Sequence, residues 1–155
     1  MDLRYRGLAA AQFSHLFGLT DTELERRAIR RMVAATKPGF PCRVTLEDAE
    51  PGERVLLLPY DHQPALSPYR ASGPIFVREA MFDTFDQAGP PPPVFSARQL
   101  SLRAFAGDGM MVDADLVEGA QAEPSLNRLF DRDETAYVHV HFAKRGCYAC
   151  RVERG

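Results

Sequence analysis

A chain of 155 residues with 45% hydrophobic and 26% charged side chains has the composition of a globular protein, long enough to bury about 70% of its unfolded surface as one domain. Its 19 basic and 21 acidic residues leave a formal net charge of -2, which excludes the positive field that draws proteins to nucleic acid or an anionic membrane. No apolar run approaches the ~20 residues that span a bilayer.

The apolar start is interrupted by Gln12, Ser14 and His15 before a secretory core forms,. Three cysteines, an odd number, do not suit a secreted disulfide framework. The expectation is therefore a cytoplasmic protein with reduced thiols, a single domain over residues 1–155.

Thr20-Asp21-Thr22-Glu23 is a capping box, in which the threonine hydroxyl takes a backbone N–H and the glutamate reaches back. Behind it Leu24, Ala28, Ile29, Met32 and Val33 fall on one side at helical spacing, with Arg26, Arg27, Arg30 and Arg31 on the other,. This predicts an amphipathic helix with a solvated arginine face, its last turn open to extension because Val33 is β-branched and Pro38 comes after it. From Cys42 the period becomes two: "CRVTLE" alternates, "EPGE" at 50–53 is type II turn chemistry, and "RVLLLPY" at 54–60 is apolar on both faces,. These segments predict an antiparallel hairpin.

Residues 61–74, with three prolines, are expected to loop before a strand "IFVRE" at 75–79,. "GPPPP" at 89–93 reads as a stiff spacer,. "QLSLRAF" and "MMVDADLV" flank "AGDG" as a hairpin,. Pro124 opens a short helix carrying Leu126, Leu129 and Phe130, and "TAYVHVHF", "AKRG" and "CYACRVE" close the chain as a last hairpin,. The predicted class is α+β, mainly an antiparallel sheet of hairpins with two short helices.

The chemistry-bearing residues concentrate in that last hairpin. In an extended strand His139 and His141 share one face, about 6.6 Å apart, while Val138, Val140 and Phe142 claim the core. Neither ring is then needed for the fold. In a regular strand Cys147 and Cys150 point to opposite faces at about 10 Å, beyond the ~7 Å reach of a disulfide. Cys147 then shares parity with Ala149 and Arg151, and Cys150 with Tyr148 and Val152. Four metal ligands do not fall on one side, so no structural metal and no cofactor are expected. His62 or Asp113 is needed to supply a third ligand to a His-x-His site.

The blocks Pro41-Cys42-Arg43, Ser67-Pro68-Tyr69-Arg70, Gly73-Pro74-Ile75-Phe76 and His139-x-His141 resemble a bacterial family catalogued as domain of unknown function 1203. The resemblance covers nearly the whole chain. It implies no activity and transfers no catalytic residue.

On physical grounds, Arg43, Tyr69, Arg70, Arg78, Arg103, His139 and His141 are candidates to bind a small anionic molecule, since arginine forks fit carboxylate and phosphate. The competing view makes these arginines sheet-surface residues paired to Glu47, Glu79 and Asp113. Two other functions stay open. One is an enzyme, either with Cys147 or Cys42 as nucleophile beside His139 or His141, or a His-x-His metal enzyme. The other is an interaction or regulatory module without turnover. Oligomeric state is not legible.

Overall fold

The computed structural model describes residues 2–155. The chain is an α+β domain of two antiparallel sheets. Six strands line up in the order β5 (Asp86–Ala88), β1 (Leu3–Arg6), β9 (Tyr148–Arg154), β8 (Tyr137–Phe142), β6 (Gln99–Phe105) and β7 (Met111–Glu118). The smaller sheet places β3 (Arg54–Gln63) between β2 (Arg30–Val33) and β4 (Ala71–Arg78). Among the described residues no helix is long and apolar enough to cross a membrane.

The β6–β7 and β8–β9 hairpins form as the turn chemistry predicts. Helix α2 (Ala122–Phe130) buries Leu126, Leu129 and Phe130. These meet Leu100, Leu102, Val138, Val140 and Val152 from the large sheet in one core. A second core joins Leu56, Leu58, Ile75 and Val77 of the small sheet to Phe13, Leu16 and Leu24. Strand β8 is buried at every residue, because α2 covers one of its faces and the small sheet reaches the other. A strand closed on both sides cannot be read from alternation alone.

Three sequence expectations change. The capping box forms, with Glu23 N–H donating to Thr20 Oγ1 and Thr20 N–H to Glu23 Oε2, but helix α1 covers only Asp21–Glu25. Ala28 adopts φ 60°, while Ile29 N–H donates to Leu24 O and Ala28 N–H to Glu25 O. That is a Schellman closure with alanine where glycine is usual. The chain then leaves as β2, and Arg31 turns inward to Asp21, Glu79 and the carbonyls of Phe17 and Leu19.

The predicted strand at 42–47 is instead a buried coil. Cys42 N–H donates to Glu47 O, Leu46 N–H to Cys42 O, and Leu46 sits at φ 52°. The type II turn does form, with Gly52 at φ 90° and Glu53 N–H donating to Glu50 O. It delivers the chain into β3, whose partners are β2 and β4 rather than residues 42–47. The expected loop 61–74 shrinks to 64–70, because β3 runs on to Gln63 and β4 begins at Ala71.

Candidate functional site

Two β-bulges bring distant rings together. In β3 the pairing jumps from Tyr60–Gly73 to Gln63–Ala71, so Asp61 and His62 oppose a single residue. In β9 it jumps from Val140–Cys150 to His141–Tyr148, leaving Ala149 unpaired. A bulge shifts side-chain phase by one residue and re-aims the side chains beyond it. Tyr148 therefore joins the histidine side while Ala149 and Cys150 enter the core, which corrects the parity grouping of Tyr148 with Cys150.

His62 sits 5.0 Å from His141 and 6.4 Å from His139 between ring centroids, and it stacks on Tyr148 at 5.5 Å with 6° between planes. Tyr137 and Phe105 lie 5.0 and 5.2 Å from His139. Gln63 Nε2 donates to the Tyr137 hydroxyl at 3.0 Å. His139 and His141 are 3% and 2% exposed. The expectation that neither ring belongs to the core is thus overturned: their face is closed by the second sheet.

Burial lowers the pKa of both rings, to about 3 for His139 and about 4 for His141, reinforced by neighbouring positive charge including Arg103,. Burial and Arg103 lower His62 as well. The three imidazoles are neutral at pH 7. Arg103 pairs in register with His139 and donates from Nε to Ser101 Oγ at 3.2 Å; it has no carboxylate partner among the described residues.

Arg43, predicted in the same pocket, lies elsewhere. The residue is 1% exposed, and its guanidinium donates to Tyr148 O at 2.7 Å, Pro41 O at 2.5 Å and Cys147 Sγ at 3.0 Å. It also stands over the Phe142 ring at 5.0 Å, with Arg98 over the same ring at 4.9 Å. Arg98 is neutralised by Asp48 at 2.6 and 2.8 Å. Among the described residues no carboxylate neutralises Arg43, and desolvation lowers its pKa. Arg43 and Cys147 line a cleft of about 630 Å³ with Phe40, Phe76, Lys144 and Arg145.

The remaining candidates do not converge. Arg78 is buried and held by Glu53 at 2.5 and 2.8 Å and by Glu47 at 3.3 Å, so its fork is taken. Tyr69 is 39% exposed and meets Phe105 edge-on at 6.1 Å. Arg70 lines a shallow depression with Asp61 and Gln63. Cys42 is buried and accepts from the Arg78 amide at 3.3 Å. Asp113 lies near Arg128 and Arg132, at 3.7 and 3.6 Å. His141 Nδ1 is 2.9 Å from Gly146 O, and among the described residues no imidazole is hydrogen-bonded to a thiol. All three cysteines are free.

Sequence reasoning passed over Tyr148, Arg98, Lys144 and Arg145 and held His62 only in reserve. The basic turn "AKRG" was the one local signal for the cleft.

Fold and site together define a two-sheet α+β domain with a ligand-sized basic cleft and a closed histidine layer. The chain belongs to the family described as Protein of unknown function (DUF1203), whose model matches residues 39–154. The match spans both the Arg43 cleft and the three histidines. Neither the curated proteins nor the solved structures contain a match to this chain.

Proposed function

We propose that this domain binds a small anionic molecule with an apolar body in the Arg43 cleft, in a reducing, cytoplasmic setting. The observation that carries the reading is the Arg43 guanidinium, almost wholly buried without a carboxylate. A buried cation is costly until an anion meets it. Arginine has five N–H donors and Arg43 spends three, on two carbonyls and one sulfur, which leaves one on each terminal nitrogen for a ligand oxygen. Lys144 and Arg145 add positive charge at the rim, and Phe40, Phe76 and Phe142 supply the apolar wall. The volume falls within the range of small-molecule sites.

Cys147 reports on the cleft because it lines it, whereas Cys42 and Cys150 are buried. Iodoacetamide should modify Cys147 alone. An aromatic carboxylate should slow that modification saturably while its neutral amide does not, and Lys144→Ala with Arg145→Ala should weaken the protection. Equal alkylation rates with carboxylate, phosphate or no addition would sink the reading.

A further inference from the structure

The histidine layer shares no side chain with the lining of that cleft and poses a separate question. His139 Nδ1 and His62 Nδ1 are buried nitrogens without a hydrogen-bond partner among the described residues. Leaving a buried polar atom unsatisfied costs about 1–3 kcal/mol, and such atoms call for a missing water or ion. The third ring differs. Gly146 O can only accept, so His141 Nδ1, 2.9 Å away, carries the proton. Its Nε2 then holds the free lone pair.

We propose that His62, His139 and His141 form a binding site for one divalent transition-metal ion, with a fourth coordination position left to water or an anion. One ligand nitrogen from each ring lies within 4.8 Å of the others. Nitrogens around a tetrahedral ion at 2.0–2.1 Å are about 3.4 Å apart, so modest ring rotations close the site. The backbone carbonyl behind His141 is the outer support that metal-bound imidazoles use to fix ring and tautomer.

The donor set selects the metal. Three imidazoles suit zinc, cobalt, nickel, copper or iron, whereas magnesium and calcium require oxygen ligands. Among the described residues no His, Cys, Asp or Glu supplies a fourth ligand to this group. Apart from Asp61, the chain neighbour of His62, the charges that act on it are positive. Arg103 stands opposite His139 in β6 without a carboxylate, and Arg151 stands opposite in β9, paired to Glu153 at 2.6 Å. A cation here therefore favours an anionic fourth ligand, hydroxide or a small oxyanion, held against Arg103. Because His62 comes from the small sheet and the other two from the large one, the ion would also tie the two sheets together.

The test uses the untagged full chain, stripped with chelator and titrated with zinc and with cobalt(II). One equivalent should bind, the melting temperature should rise, and cobalt should show the visible absorption of a tetrahedral centre. Magnesium should do none of these. His139 and His141 are buried, so variants there also lose packing; His62→Gln, on the half-buried ring, is the deciding variant. It should remain folded and lose at least about 10-fold in zinc affinity, while His15→Gln, at an exposed histidine, should bind as the parent does. Failure of the parent chain to bind either metal, or equal binding by the His62→Gln variant, overturns the site.

Discussion

Tyr148 belongs to two regions at once, and they treat buried polarity in opposite ways. Its ring stacks on His62 in the histidine layer, while its carbonyl accepts from Arg43 in the cleft. In the histidine layer the buried groups are neutral and two nitrogens lack partners. In the cleft the nitrogens are hydrogen-bonded and the charge lacks a partner. Lone pairs without protons attract a cation; a cation without a carboxylate attracts an anion. The same strand end therefore presents two complementary demands.

The sharpest way to break this contrast is to delete the neutral rings. His139→Ala together with His141→Ala should cost on the order of 5 kcal/mol, because both rings are buried and the cavities adjoin,. Urea denaturation measures it, and a loss under about 1 kcal/mol would place the rings at the surface. Acid should reach the same layer without mutation. In metal-free protein the folded imidazoles resist protons until about pH 4 for His141 and about pH 3 for His139, while the unfolded chain takes them up at the ordinary 6.5. Stability from these rings is complete above 6.5 and falls as pH drops below it. The expected loss is about 2 kcal/mol per ring between pH 7 and pH 5. His62, Arg43, Arg103 and Arg151 supply the opposing charges, and a chelated sample followed by denaturant melts at stepped pH checks the slope.

The cleft should answer differently. Arg43→Ala strands the carbonyls of Pro41 and Tyr148 and empties the space over Phe142, for a loss of about 3 kcal/mol by urea melt. At the rim the effect should be functional alone. Lys144→Ala with Arg145→Ala should change stability by less than about 0.5 kcal/mol, since both side chains are exposed, yet weaken binding of an aromatic carboxylate several-fold by calorimetry. A large stability change there would show that the turn is structural rather than a ligand rim.

Local features were legible in the sequence. The capping box, the type II turn, helix α2 and the two C-terminal hairpins each depend on contiguous residues and form as expected. Legibility fails where a left-handed residue or a bulge interrupts a period. Ala28 and Leu46 have no glycine to announce their positive φ, so helical spacing runs on past the true end of α1 and alternation at 42–47 mimics a strand. The histidine pair is visible in β8, but its third member arrives from a strand almost eighty residues earlier. Arg78 looks like a free fork until the fold places Glu53 against it.

The unpaired Ala149 makes the last hairpin sensitive to pairing register more than to composition. Were that one residue drawn into the ladder opposite His141, β9 would pair with β8 without interruption, and everything between the turn and Cys150 would change sides,. Tyr148 would swing away from His62, and its carbonyl would leave Arg43. A slip of register by one residue at this position would disconnect both regions together, although no ligand-facing side chain had been altered,.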